Sequence, residues 1–315
     1  MKQTKAISAV MPVRNGEKYI DNLTEIIDLN LAENDELIVI NDNSDDGTLN
    51  KLQSWAKRNS KIRVITNKGD GIVDALNLGV SESQNEWIAR FDVDDLYSSN
   101  RLTIQREAIS SNHVAIFSDY QFFASQNDNL GTIPVAVTDI ATKLSLISGQ
   151  RTAHSSAVFN KLAFTEVGMY RKQDFPAEDL SLWLRLSKMG EFCSIPEVLM
   201  KYRISQQSIT STMRIESFAK KLQLLAEIGI QDEIIEEAFE QASILFAEYE
   251  KYTFENQRKL LFIRDLILVC KKKNYPTSMI REISGISLKE ISNTGLFFAA
   301  LKLNIEKKRR NLIRN

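Results

Sequence analysis

The amino-acid sequence predicts an α/β protein. Four hydrophobic runs of strand length occur in the first 110 residues, and each gap between two runs is long enough for one helix. The runs are short and nearly all apolar, as in AISAVM and LIVI, which is typical of parallel strands covered on both faces. Because parallel neighbours need right-handed crossovers, this alternation leaves few topologies.

The predicted elements of the first half alternate between strand and helix. We predict strands over residues 6–11, 36–41, 62–66 and 87–91. Between them, apolar residues recur every three or four positions, as at Ile20, Leu23 and Ile27, which predicts helices. Residues 1–110 therefore form one layered α/β unit.

The second half, residues 111–211, mixes strands with one clear helix. Strands are predicted over residues 114–123, 133–137, 155–159, 191–195 and 198–204, and a helix over residues 180–189. No linker rich in Pro, Gly or Ser separates this half from the first, so we expect one domain that ends near Ser211. Residues 212–315 have helical period throughout, which predicts an all-helical C-terminal region.

Composition restricts the classes of function. Forty basic against forty-one acidic residues leave a net charge of −1, so we expect no nucleic-acid partner. Two cysteines and two histidines cannot build a thiolate or imidazole zinc site, and a bound metal must therefore be held mainly by oxygen. No apolar window is long enough to span a membrane, and the N-terminal apolar stretch is too short for a signal peptide. We expect a cytoplasmic protein.

Three polar loops follow predicted strands and should meet at the carboxyl edge of the sheet, where open α/β sheets bind ligands. They cover residues 12–16, 41–48 and 92–95. In the last, called the acid loop below, Asp92, Asp94 and Asp95 repel one another beside a buried strand, so a positive group should compensate them. A divalent cation fits this role, Arg90 is an alternative, and a solvated loop in which Asp95 caps the next helix is a third.

Other polar residues have both structural and functional interpretations. Residues 45–48 can cap a helix. Asp42, Ser44, Asp46 and Gly47 also fit the spacing of a calcium loop, although a strand rather than a helix precedes them and Gln53 replaces the expected bidentate Glu. Glu178 and Asp179 precede a helix, where they can cap it or supply a general base. Arg203 could bind phosphate through its planar fork, and His154 is expected to make a local hydrogen bond.

Seven ordered motifs indicate a family. They are SAVMPVRNGEKYI, LIVINDNSDDGT, GIVDALNLG, EWIARFDVDD with NRLTIQ, HSSAVF with VGMYR, AEDLSLWLRL and LMKYRIS. Over residues 6 to about 210 the chain resembles family 2 of the glycosyltransferases, nucleotide-sugar-dependent enzymes of GT-A fold that build bacterial O-antigens, capsules and other surface glycans. The resemblance implies a nucleotide-sugar half over residues 1–110 and an acceptor half over residues 111–211.

The resemblance also implies the roles of individual residues. Asp94 of the D-x-D motif, with Asp92, would hold Mn²⁺ or Mg²⁺, and Asp179 would be the catalytic base with Glu178 as the less favoured candidate. The residues implied to bind the donor or the acceptor are Pro12, Arg14, Asn15, Asp42, Asn77, Arg90, Asp92, Val93, His154, Glu178 and Arg203. Two positions depart from the family pattern: Arg14 replaces a usual aromatic residue, and Ser205 a usual histidine.

The activity that the resemblance implies is inverting transfer of a sugar from a nucleotide-sugar donor to a hydroxyl of a glycan or lipid-linked acceptor. A UDP-sugar is the expected donor, because UDP-sugars are the most frequent donors in the family. One alternative is an inactive nucleotide-sugar-binding or assembly protein. Another is a nucleotidyltransferase, which should carry a glycine-rich basic loop after the first strand; residues 12–16 do not form one.

The C-terminus carries a basic end. Residues 302–315 contain six Lys or Arg and one Glu, after the apolar residues 296–301. This pattern predicts peripheral contact with the anionic inner face of the cytoplasmic membrane or, as an alternative, packing on the protein or a second subunit of an oligomer.

Overall fold

The computed structural model describes residues 5–125, 129–133, 152–205 and 208–227, with single positions between 135 and 146. Its strands are β1 (Ile7–Val13), β2 (Glu36–Asn41), β3 (Ile62–Thr66), β4 (Trp87–Arg90), β5 (Leu96–Tyr97), β6 (His113–Phe123), β7 (Thr132–Ile133), β8 (Val158–Asn160) and β9 (Glu191–Arg203). Its α-helices are α1 (Glu17–Asn30), α2 (Thr48–Arg58), α3 (Ile72–Glu82), α4 (Arg101–Glu107), α5 (Lys161–Glu166), α6 (Glu178–Leu186), α7 (Ile209–Thr212) and α8 (Arg214–Glu227).

The strands of the described residues form one sheet in the order β3-β2-β1-β4-β8-β6-β9-β5, with β7 beside β6. The first four strands pair in parallel, as the alternation predicts. Beyond β4 the sheet is mixed, because β8 is antiparallel to both β4 and β6 while β9 runs parallel to β6. The α/β prediction is confirmed, and the second half extends the same sheet.

Both faces of β1 are covered, which explains its unbroken run of apolar residues. Ile7, Ala9 and Met11 pack in a cluster with residues of α1 and α2. Val10 points to the opposite face and packs with residues of α3. At Gly79 of α3, an added Cβ would lie 2.4 Å from Val10 Cγ1, so only glycine lets this helix approach the strand so closely.

Several predicted boundaries in the second half are wrong. Residues 154–156 form a 3₁₀ turn, and the strand starts only at Val158. The two strands predicted after residue 190 are one strand, β9, whose register against β6 jumps between Ile195 and Val198. That irregularity accommodates Pro196, which has no N–H for the ladder.

The helix predicted from residue 180 begins two residues earlier, at Glu178, and therefore includes both acids in its first turn. The rest of the strand predicted over 133–137, the C-terminal region from residue 228 and the basic end lie outside the described residues. In the part of the chain that the structure covers, no helix is long and apolar enough to cross a membrane.

Candidate active site

The three predicted loops do meet at the carboxyl edge of the parallel strands. Asn15 N–H donates to Ser44 Oγ at 3.0 Å, and Asn15 Oδ1 accepts from Asp45 N–H at 3.0 Å. Asn15 has a positive φ of 52°, a conformation that asparagine adopts more readily than most residues. Val93 of the acid loop lies against Gly16, where an added Cβ would be 3.0 Å from Val93 Cγ1. The three loops therefore form one surface.

Asp46 of the second loop accepts hydrogen bonds from the first residues of two helices. Asp46 Oδ1 accepts from Thr48 N–H at 3.0 Å, and its Oδ2 accepts from Glu17 N–H at 3.3 Å. Glu17 in turn accepts from Gly47 N–H at 3.0 Å, so the starts of α1 and α2 cap each other. The hydrogen bond from Thr48 lowers the pKa of Asp46. The capping interpretation is confirmed for Asp46.

The predicted nucleotide-binding residues occupy this surface. Pro12 is buried in β1, whereas Arg14 and Asn15 are exposed in the loop that follows. Asp42 is buried at the end of β2 and accepts a hydrogen bond of 2.6 Å from Asn67 Nδ2. Asn67 was missed by the sequence analysis, although it directly follows β3 and so lies at the same edge. The pair presents a carboxylate oriented by a carboxamide.

Arg90 compensates the first acid of the acid loop. Its side chain is only 2% exposed, and Nη2 donates to Asp92 Oδ1 at 2.7 Å. Its Nη1 donates to the carbonyl of Phe91. Tyr97 holds the backbone of Asp92 from the other side, since its hydroxyl accepts from Asp92 N–H at 2.6 Å and donates to Asp92 O at 3.1 Å. The sequence-based alternative that Arg90 pairs with these acids is confirmed for Asp92.

Asp95 does not cap a helix, and that interpretation is wrong. The short strand β5 follows it directly, and the next helix starts at Arg101. Its carboxylate is buried and accepts from Ser155 Oγ at 2.6 Å and from Arg203 N–H at 2.8 Å. Burial, Asp92 and Asp94 raise its pKa well above the ordinary range.

Asp94 differs from its two neighbours. In the part of the chain that the structure describes, its half-buried carboxylate accepts no hydrogen bond from another residue, and Arg203 Nε binds only its backbone carbonyl, at 2.7 Å. Burial and the charge of Asp92 raise the pKa of Asp94 to about 6, although Arg203 and Arg90 oppose the shift. A cation at this carboxylate would relieve both effects.

Arg203 supports the acid loop. Besides the bond to Asp94 O, Nη1 donates to Ala124 O at 3.0 Å. The guanidinium carbon lies 5.0 Å from the ring centre of Tyr19 and 4.4 Å from that of Phe123. Much of the predicted phosphate-binding fork is thus used to hold protein groups.

His154 and Asn77 both bind Tyr170. His154 Nε2 and Tyr170 Oη are 2.7 Å apart, which confirms the expected local hydrogen bond. Burial and the nearby Arg90 lower the pKa of His154 well below its ordinary value. The carboxamide of Asn77 donates to Tyr170 O at 2.9 Å and accepts from Tyr170 N–H at 3.1 Å. Tyr170 lies within the motif VGMYR, but no local pattern indicated this role.

The two acids of the family motif lie in the first turn of α6. Asp179 Oδ1 accepts from Leu180 N–H at 2.7 Å, within the first turn. Glu178 is 8% exposed, and burial together with Asp179 raises its pKa to about 7. The charge of Asp92 also raises this pKa, and that of Arg90 lowers it.

The described residues contain no group of three His, Cys, Asp or Glu side chains that could hold a metal ion by themselves. A metal at the acid loop would therefore take one or two carboxylates and complete its shell with water and ligand oxygens. This is the usual arrangement for Mg²⁺ bound with substrate phosphates.

Comparison with known proteins identifies relatives. Residues 8–163 match the family model described as glycosyl transferase family 2. An uncharacterized glycosyltransferase of Haemophilus influenzae is 26% identical over 75% of this chain and 79% of the relative. The Escherichia coli UDP-Glc:alpha-D-GlcNAc-diphosphoundecaprenol beta-1,3-glucosyltransferase WfgD is 26% identical over 65% of this chain and 79% of its own. The chain spans only 29% and 33% of two relatives from Rickettsia bellii and Rickettsia felis.

Two solved structures share the fold at low sequence identity. S. aureus TarS 1–349 in complex with UDP-GlcNAc aligns with a TM-score of 0.60 and 14% identity over 92% of each chain. The mannosyltransferase PcManGT from Pyrobaculum calidifontis, in complex with GDP-Man and Mn²⁺, aligns with a TM-score of 0.59 and 16% identity, over 92% of this chain and 88% of that one. The described sheet has the GT-A arrangement, and the chain belongs, through residues 8–163, to glycosyl transferase family 2.

Proposed function

We propose that this glycosyltransferase moves a sugar from a nucleotide-sugar donor to a hydroxyl of a glycan or lipid-linked acceptor in surface-polysaccharide synthesis, with inversion at the anomeric carbon. The observation that carries the proposal is the state of the acid loop. Asp92 and Asp95 are bound by neighbouring protein groups, whereas the carboxylate of Asp94 is left to a ligand. A loop built to present one carboxylate at the edge of the sheet suits a metal-bound diphosphate.

A uridine nucleotide is the donor class we favour. The E. coli relative is named for UDP-Glc, and the TarS structure contains UDP-GlcNAc. In this chain, Asp42 and Asn67 would bind the base, and Pro12, Arg14 and Asn15 would line the rest of the nucleotide pocket. Asp42 is an acceptor held in place by Asn67, as recognition of a base N–H requires.

The residues present fit a divalent cation. Asp94 and Asp92 are oxygen donors of the kind that Mn²⁺ and Mg²⁺ prefer, and burial together with the charge of Asp92 raises the pKa of Asp94, which a bound cation would oppose. The ion would supply Lewis-acid stabilisation of the diphosphate leaving group. Arg90 reduces the repulsion between Asp92 and Asp94, because its positive charge compensates the negative charge of Asp92.

The chemical step assigned to this chain is deprotonation of the acceptor. The acceptor oxygen forms a bond to the anomeric carbon while the bond to the diphosphate oxygen breaks, and the diphosphate leaves with that electron pair. Asp179 takes the acceptor proton, with Glu178 beside it in the first turn of α6. His154 packs against the same helix, with its ring centre 5.9 Å from that of Trp183.

Asp94→Ala tests the function. The variant should keep the fold and lose Mn²⁺- or Mg²⁺-dependent transfer, measured first by thermal stabilisation with a panel of nucleotide sugars and then by turnover. Asp21→Ala is the matched control, because Asp21 is an exposed acid of α1 whose ion pair with Lys51 lies on the surface. Wild-type transfer that persists undiminished in EDTA would contradict the metal role.

The same assay separates the enzyme from an inactive nucleotide-sugar-binding protein, which would be stabilised by donor but show no turnover. A nucleotidyltransferase is not supported, because the loop after β1 binds its neighbours through Asn15 and lacks a glycine-rich basic phosphate cradle. We place the reaction at the cytoplasmic membrane face, where lipid-linked acceptors are presented and residues 302–315 would contact anionic lipid.

A further inference from the structure

Asp95 is buried and takes no part in the chemistry assigned to the acid loop. Its side chain is 3% exposed, so it faces no ligand. We propose that Asp95 is a positioning residue, which together with Ser155 and Arg203 fixes the position of the Asp94 carboxylate. This inference rests on the proposed metal role of Asp94. The three residues are called the loop anchor below.

The loop anchor joins the acid loop to two elements of the other half of the sheet. Ser155 lies in the 3₁₀ turn before β8, and its hydroxyl donates to Asp95 Oδ2 at 2.6 Å. Arg203 ends β9, and its backbone N–H donates to Asp95 Oδ1 at 2.8 Å. Both oxygens of one carboxylate are therefore bound, each from a different element.

Arg203 also fixes the peptide that links Asp94 to Asp95. Its Nε donates to Asp94 O at 2.7 Å, so the carbonyl and the next side chain are both bound by the same residue. Its guanidinium is itself packed over Tyr19 and Phe123, which limits its movement. Because these bonds hold the backbone on this side, they restrict the orientation of the Asp94 carboxylate.

A buried carboxylate is costly where packing alone is needed, because apolar residues of similar size fill such sites at lower cost. Here the carboxylate adjoins two further acids, Asp92 and Asp94, whose negative charges repel its own. Residues that orient a metal ligand without touching the metal are often polar groups held by hydrogen bonds in this way. A role in orienting Asp94 therefore explains the buried Asp95 carboxylate better than a role in stabilising the fold alone.

The chain offers a matched control pair at the opposite edge of the sheet. Ser8 Oγ donates to Glu36 Oε1 at 2.7 Å, and both residues are buried. Ser8 lies near the start of β1 and pairs in register with Glu36 at the start of β2. Ser8→Ala and Ser155→Ala thus each remove a buried serine hydroxyl that donates to a buried carboxylate, but only Ser155 contacts the acid loop.

The experiment measures Mn²⁺ binding to the full chain in the presence of UDP, by the loss of the free-ion electron paramagnetic resonance signal. Ser155→Ala should weaken Mn²⁺ binding about 10-fold and Asp95→Ala up to about 100-fold, the range found for groups that orient metal ligands. Asp95→Asn should restore binding to within about 3-fold, because its carboxamide can still accept from Arg203 N–H and donate to Ser155 Oγ. Ser8→Ala should bind Mn²⁺ like the wild type.

Asp94→Ala in the same assay separates the two proposals. If Asp94→Ala loses Mn²⁺ but Ser155→Ala and Ser8→Ala both bind it normally, the positioning role of Asp95 is overturned while the proposed function stands. If wild type binds Mn²⁺ no better than Asp94→Ala, the metal role fails and the anchor fails with it. An Asp95→Asn loss as large as that of Asp95→Ala would also overturn positioning, because the charge itself would then be what matters. Should Asp95→Ala not fold, the two serine variants decide the question.

Discussion

Arg90→Met should destabilise the protein far more than Arg63→Met, although both substitutions remove an arginine that pairs with a carboxylate. Arg90 is 2% exposed and binds Asp92 at 2.7 Å as well as the carbonyl of Phe91. Arg63 is 38% exposed and binds Glu82 at 3.0 Å and Glu36 at 3.4 Å. The comparison therefore varies the burial of the pair while the chemistry stays the same.

The expected difference follows from what each substitution leaves behind. Removing one partner of a buried ion pair costs about 3–5 kcal/mol, because the other charge is left without compensation. Asp92 is 28% exposed and can be partly solvated, so we expect Arg90→Met to cost about 3 kcal/mol, the lower end of that range. Exposed pairs contribute about 0–1 kcal/mol, and Arg63→Met should cost no more.

Urea denaturation followed by tryptophan fluorescence measures this difference. The three tryptophans of the chain, Trp55, Trp87 and Trp183, are all buried in the described fold, so the signal reports unfolding of this domain. Equal shifts of the denaturation midpoint in the two variants would refute the reasoning. An Arg90→Met, Asp92→Asn double variant should recover part of the loss, because it removes the uncompensated charge together with its partner.

Three further predictions concern the first turn of α6 and the C-terminus. Asp179→Asn should keep donor and metal affinity but lose turnover by about 10²- to 10⁴-fold, as expected for loss of a general base, and Glu178→Gln should cost less; donor binding that falls as far as the rate would contradict this assignment. Because the pKa of Glu178 is raised from 4.5 to about 7, the folded state binds that proton more tightly than the unfolded chain, so its contribution to stability is full below pH 4.5 and is lost as the pH rises through 7. Glu178→Gln should flatten this decline of the denaturation midpoint, and an unchanged slope would exclude Glu178 as its source. Deleting residues 302–315 should release the protein from anionic liposomes in a salt-sensitive way, with about 1 kcal/mol per basic residue at stake; full-length protein that ignores such liposomes at low salt would favour packing on the protein or a second subunit.

The sequence by itself determined the architecture of the first half. Local periodicity is enough there, because each strand of β1 to β4 is bounded by loops and separated by one amphipathic helix. The predicted bounds of β2 and β3 match the structure at both ends. The convergence of three polar loops also followed from the sequence, since parallel strands share one carboxyl edge.

Only the tertiary structure decided which groups the acids of the site bind. Asp95 meets Ser155 and Arg203, which are 60 and 108 residues away in the chain. Asn77 and Tyr170 are 93 residues apart. Such contacts depend on the order and register of β4, β8, β6 and β9, which mix parallel and antiparallel pairs.

The same physical reason explains the errors at single residues. The sequence around Asp95 is compatible with a helix cap, because a short acid in a loop between a strand and a helix can either cap that helix or be buried against other elements. Burial and partners distinguish the two, and both are properties of the folded sheet. Periodicity along the chain encodes which face of an element is apolar, whereas the partner of a buried polar group is set by elements brought alongside it from distant parts of the sequence.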